Sequence, residues 1–159
     1  MKNFIILFFL AFTSVSFAQD LNNNEAPEFI VKMANARLMN REAGRQAAGL
    51  ASAKAIRDYG SLMIKDQEIL LTKLQQLATS KNITLPNAIN EKKSVQLTKL
   101  SDLRGKAFDR KFLKMMKTDL KQDVKKFKKA TKFEDEATKK FAKENLPLVQ
   151  QHLEAVKAL

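Results

Sequence analysis

AKAIRDYGSLMIKDQEILLTKLQQLATSKNITLP, running from Ala53 to Pro86, decides the fold. Ile56, Gly60, Met63, Gln67, Leu70, Leu74 and Leu77 recur at alternating four- and three-residue spacing, which places them on one face of a helix. Gln67 is the exception among them, because an amide aimed at an apolar interior needs a hydrogen-bond partner. The helix has a chemically defined stop. Lys81 suits the negative end of the helix dipole, Asn82 tolerates the left-handed C′ conformation, and Pro86 cannot continue a helix. Residues 53–80 would make a rod of about 42 Å at 1.5 Å per residue. Helices of that length usually bury their apolar stripes in bundles.

Upstream, residues 1–18 combine Lys2, an apolar run from Phe4 to Phe12, and small residues at Ser16 and Ala18. This is the pattern of a secretory signal peptide cleaved before Gln19. An N-terminal membrane anchor is the alternative, but the run is short of the ~20 residues that span a bilayer. A lipoprotein is excluded, since the chain contains no cysteine to carry the modification. Residues 19–159 then form the mature chain, one domain by length and large enough for a single core without disulfides. The absence of thiols is compatible with an oxidising compartment, and the periplasm or cell envelope is the expected location. The formal net charge of +12 becomes +11 without Lys2, enough to draw the protein to anionic surfaces.

The first mature helix is expected near 27–51. Pro27 suits its first turn, and Glu25 and Glu28 complement its positive end. Phe29, Met33, Ala36, Asn40, Ala43, Ala47 and Leu50 hold its inner face, making Asn40 a second inward polar residue. Gly44, Gly49 and the alanines point to close approach by a neighbouring helix. Ala51 and Ser52 leave room only for a tight antiparallel turn. From Pro86 to Gly105 the connection is long, and Val95, Leu97, Leu100 and Leu103 suggest a short helix within it. The third long helix, near 106–130, turns Phe112, Leu113, Met116, Leu120, Val124 and Phe127 inward. Its other face is a charge run in which Arg110, Lys111, Lys114, Lys117, Lys121, Lys125, Lys126, Lys128 and Lys129 outnumber Asp109, Asp119 and Asp123. The fourth, near 135–158, starts at an acidic cap among Glu134, Asp135 and Glu136. Phe141, Leu148, Val149, His152 and Val156 form its stripe, and Pro147 should bend it near Lys143. With four glycines and no strand-like alternation, the chain reads as all-α.

Short connections within the first and last pairs, with a long crossover between helices two and three, are the connectivity of a ferritin-like four-helix bundle. NREAGRQAA (40–48), MIKDQ (63–67), ITLP (83–86), GKAFDRKFL (105–113) and LPLVQQHL (146–153) together resemble the bacterial envelope family known as domain of unknown function 4142. The resemblance implies an exported ferritin-like bundle with no established activity. It also implies ligand-bearing positions that here read Asn40, Gln67, Leu120 and His152, where relatives offer an acid and histidines. Neither an amide nor a leucine replaces imidazole as a transition-metal ligand, so no metal and no cofactor are expected.

Each remaining polar residue has a structural reading. His152 fits a hydrogen-bonded core histidine. Gln67 and Asn40 are expected to bond each other across the interface of helices one and two. Asp66, Asp119 and Asp123 lack lysines four residues away, and only Asp123 has a helical partner, Lys126, three residues on; solvation or pairing across helices is expected for them. Met33, Met39, Met63, Met115 and Met116 read as core filler rather than a copper site. No cysteine nucleophile, G-x-S-x-G elbow, phosphate-binding glycine loop or Glu-x-x-His pair is present; Val149 stands where that glutamate would be needed before His152. An enzyme is therefore not expected. Two functions compete: a non-catalytic envelope protein that binds anionic lipid, lipopolysaccharide or a protein partner through Lys114, Lys117, Lys121 and Lys125, and a ferritin-like metal-binding or metal-oxidising protein with a degenerate site. The structural alternative for the lysines is a solvated face. Nucleic acid is not an expected partner, because no aromatic platform interleaves them.

Overall fold

The computed structural model describes residues 25–159, so the expected leader and its cleavage site lie outside the described residues. Five helices follow in order: α1 Glu25–Leu50, α2 Lys54–Ser80, α3 Glu91–Ser101, α4 Gly105–Ala130 and α5 Glu136–Ala158. No strand is present among the described residues. The four long helices match the sequence expectation to within two residues at each end, and α3 is the short helix expected inside the crossover.

Local chemistry sets the ends. At the end of α2, Asn82 has φ 55°, and Ile83 and Asn82 donate backbone hydrogen bonds to Ala78 (2.9 Å) and Thr79 (3.2 Å). This pattern of a Schellman motif satisfies carbonyls that the helix itself leaves open. Asn90 caps α3 by accepting from the Lys93 N–H, and Asp135 caps α5 by accepting from that of Thr138. Gly105 opens α4 at φ 58°, a conformation that costs glycine little. α5 continues unbroken through Pro147, whose ring faces solvent.

Helix α1 packs most extensively on α2 and also meets α3 and α4, while α5 packs on α4 and α2. The pairings fix directions. Glu25 bonds Lys129 and Arg37 bonds Asp123, so α1 and α4 are antiparallel. Lys81 with Asp135, Lys73 with Asn145 and Asp66 beside His152 make α2 and α5 antiparallel as well. Gly44 and Gly60 bring α1 and α2 together: a Cβ on Gly44 would stand 2.9 Å from the Gly60 carbonyl oxygen, and one on Gly60 would stand 2.6 Å from that of Gly44. The core contains an aromatic group of Phe29, Phe127, Phe133 and Phe141, and a second around Tyr59, Phe108 and Phe112. Met33, Met39, Met63 and Met116 are fully buried among them, as filler.

Candidate functional site

Two regions concentrate polar chemistry: a layer midway along the long helices, and the outer face of α4.

The inner layer contains Arg37 and Asn40 from α1, Gln67 from α2, Asp123 from α4 and His152 from α5, all buried. Leu120 is also buried. Arg37 is the largest side chain with no solvent exposure, and one of its guanidinium nitrogens bonds Asp123 Oδ2. Its other nitrogens, Nε and Nη1, have no hydrogen-bond partner among the described residues. Burial pulls its pKa down to about 10, against the attraction of Asp119. On the other side of the layer, His152 Nε2 lies 3.1 Å from Asp66 Oδ2, a close contact whose geometry falls short of a formed hydrogen bond. The Tyr59 hydroxyl donates to the His152 carbonyl (3.2 Å), and the two rings meet edge to face at 5.8 Å. Burial lowers the His152 pKa; Asp66 opposes that shift and Arg37 adds to it. Burial thus favours the neutral imidazole.

The bond expected between Asn40 and Gln67 does not form, and neither amide has a hydrogen-bond partner among the described residues. Register explains this. Seven residues back from Gly44 along α1 and seven forward from Gly60 along α2, Arg37 rather than Asn40 comes level with Gln67. Among the described residues, no group of three or more His, Asp or Glu side chains is placed to hold a metal ion.

The outer face of α4 differs from the sequence expectation in one respect. Asp109, Asp119 and Asp123 do not share the lysine face. Asp123 turns inward to Arg37. Asp109 reaches the turn between α1 and α2, where its carboxylate accepts from the Ser52 N–H (2.9 Å), the Ala53 N–H (3.1 Å) and the Ser52 hydroxyl. Burial raises the Asp109 pKa, but these bonds and Arg57 outweigh it, and the net shift is downward. Asp119 is half-buried toward α3, with Oδ2 unpartnered; burial raises its pKa, against Lys93, Lys126 and Arg37. Burial in turn pulls Lys93, on α3, down to about 8.

With those acids withdrawn, Lys114, Lys117, Lys121 and Lys125 stand exposed along one side of α4, and no carboxylate of the described residues pairs with them. Lys117, Thr118, Lys121, Gln122 and Lys125 line a shallow groove of ≈ 420 Å³. A second groove, ≈ 200 Å³, runs between α3 and α4 past Gln96, Lys111, Lys114, Met115, Thr118 and Asp119. No described helix is long and apolar enough to cross a membrane.

The four lysines are therefore gathered on one surface, and Asn40, Gln67, Leu120 and His152 are in the core without a hydrogen bond linking them. Sequence reading missed Arg37, Tyr59, Lys93, Thr118 and Gln122. A signal existed for Arg37 alone: it flanks the inner-face residue Ala36 and lies one turn before Asn40. Comparison with curated proteins and with solved structures gives no match. The family model for DUF4142, a domain of unknown function, matches residues 12–159, and the chain belongs to that family.

Proposed function

We propose that this DUF4142 protein is an exported, non-catalytic helical-bundle protein of the periplasm or cell envelope that binds an anionic surface through α4. The observation that carries this reading is the segregation of charge on that helix. Its acids are spent on Ser52, on Arg37 and against α3, while Lys114, Lys117, Lys121 and Lys125 are exposed and pair with no carboxylate of the described residues. A merely solvated face has no need of such sorting, since interspersed acids serve solubility as well. The order and directions of α1, α2, α4 and α5, with α3 in the long connection, support a ferritin-like four-helix frame. Arg37 supports the loss of a metal function: a buried guanidinium in the polar layer repels a second cation and already occupies the carboxylate of Asp123. The leader-like residues 1–18 support export.

Co-sedimentation with anionic phospholipid or lipopolysaccharide vesicles across a salt series tests the reading. Binding should be strong at low salt and weaken steeply as the Debye length contracts to ~8 Å. It should disappear in a variant carrying glutamate at positions 114, 117, 121 and 125. Binding unchanged in that variant would overturn the proposal.

A further inference from the structure

The two grooves on α4 adjoin at Thr118, and their linings together span a track from Lys111 to Lys125. Fourteen residue-to-residue steps of helix make that track ~21 Å long. Lys111, Lys114, Lys117, Lys121 and Lys125 border it, while Gln96, Thr118 and Gln122 place neutral amides and a hydroxyl between them. Met115 lies in its floor, and so does Asp119, a half-buried carboxyl with an unpartnered oxygen.

We infer that the ligand of this face is a linear acidic polysaccharide lying along α4 from Lys111 to Lys125, an assignment that rests on the anionic-surface reading above. A bilayer fits less well. The large exposed apolar residues among those described are Val31, Leu62, Ile69, Val95 and Leu159, none of them on α4, so the lysine face has no anchor of its own to insert. Its cations border a groove, which suits a chain better than a plane. A phosphate polymer without hydroxyls fits less well too, because Asp119 would repel it and the amides would have little to bond. A glycan with acidic groups uses every part: anions meet the lysines, hydroxyls meet Asp119, Gln96, Thr118 and Gln122, and the C–H face of a sugar ring covers Met115.

Calorimetric titration of the intact mature protein with oligogalacturonides of increasing length tests this, with inorganic polyphosphate and phosphatidylglycerol vesicles as comparison probes. Affinity for the oligogalacturonides should rise with length and level off once a chain spans ~21 Å. Thr118→Ala and Gln122→Ala, both at exposed positions that leave the fold alone, should each weaken oligogalacturonide binding about 2- to 10-fold, the range for one lost hydrogen bond. They should leave vesicle binding unchanged. If length and these variants have no effect, and polyphosphate or vesicles bind at least as tightly, the polysaccharide assignment falls while the anionic-surface reading stands. If none of the three probes binds at low salt, both fall.

Discussion

Arg37 on α1 and Asp123 on α4 form an ion pair in which the Arg37 side chain is wholly shielded from water and that of Asp123 is 4% exposed. Lys126 approaches the same carboxylate at 4.0 Å from the solvent side, a minor partner by comparison. Removing one member of a buried pair strands the other charge, which typically costs ~3–5 kcal/mol, whereas replacing both with apolar residues is often neutral. Arg37→Met should therefore lower the urea-unfolding free energy by about 3 kcal/mol or more, and Arg37→Met with Asp123→Leu should recover most of that loss. A double variant no more stable than Arg37→Met would mean that Arg37 acts mainly through Asp119 or the amides of the layer.

This pair also marks where sequence reading ran out. The apolar stripes of α2 and α4 are periodic enough to locate both helices, and Asn82 and Asp135 declare the end of α2 and the start of α5 by local chemistry. Arg37 and Asp123 are separated by 86 residues. Periodicity shows which face of a helix is buried but not what stands opposite a given residue, so the register needed to pair them is absent from any local window. The same gap explains the failed bond between Asn40 and Gln67: both were correctly turned inward, but their relative height depends on the contact between Gly44 and Gly60. Asp109 was misread for a related reason, its partners Ser52 and Ala53 being on a turn far upstream.

The glycine contact yields a graded test. A Cβ at Gly60 would crowd the backbone of Gly44 and Ala48 at 2.6 and 2.8 Å, so α1 and α2 would have to move apart. Overpacking of that kind costs ~1–3 kcal/mol. Gly44→Ala, with its nearest contact at 2.9 Å, should cost less than Gly60→Ala. Gly49, at the last turn of α1, has nothing within 4 Å of its virtual Cβ. Gly49→Ala should thus be stabilising, by about 0.4–1 kcal/mol. Thermal unfolding of the three variants gives the order directly.

Asp109 pins the turn into α2 from another helix, accepting from the Ser52 and Ala53 N–H groups just before a helix that has no side-chain cap of its own. Asp109→Ala should cost ~0.5–2 kcal/mol, as for loss of an N-cap. The pH dependence has a definite sign. The folded-state pKa lies below the unfolded value of about 3.9, so the stabilisation is complete above that value and is lost as pH falls through the folded pKa. Acid titration of stability should show a smaller drop below about pH 4 in Asp109→Asn than in the parent. Equal acid sensitivity would remove the carboxylate from this role.

His152 makes a contribution in a different window. Asp66 and Tyr59 from α2 and Arg37 from α1 surround it, and burial holds its folded pKa below the unfolded value of about 6.5. The unfolded chain then binds more protons there, so stability is full above about pH 6.5 and falls as pH drops toward the folded pKa. Chemical denaturation between pH 7.5 and 5 should show that decline in the parent and a flatter profile in His152→Gln. A parent profile that is flat or rises toward pH 5 would show that Asp66 outweighs burial and keeps the imidazole charged.

Metal content separates the two functional classes most cleanly. A transition-metal centre in a helical bundle draws on several carboxylates and imidazoles converging from facing helices. Here Gln67 and Leu120 contribute neither, Asn40 offers only an amide, and Asp123 is engaged by Arg37. The Asp66 and His152 side chains supply one carboxylate and one imidazole, with Arg37 close enough to depress the histidine's proton affinity and so oppose any cation there. Protein purified without chelator should therefore contain well under one equivalent of iron, zinc or copper, and chelator treatment should leave its unfolding midpoint unchanged, because a ligand stabilises only what it binds. Stoichiometric metal that disappears in His152→Ala, accompanied by a chelator-sensitive midpoint, would overturn this expectation and favour the metal-handling class over the lysine face.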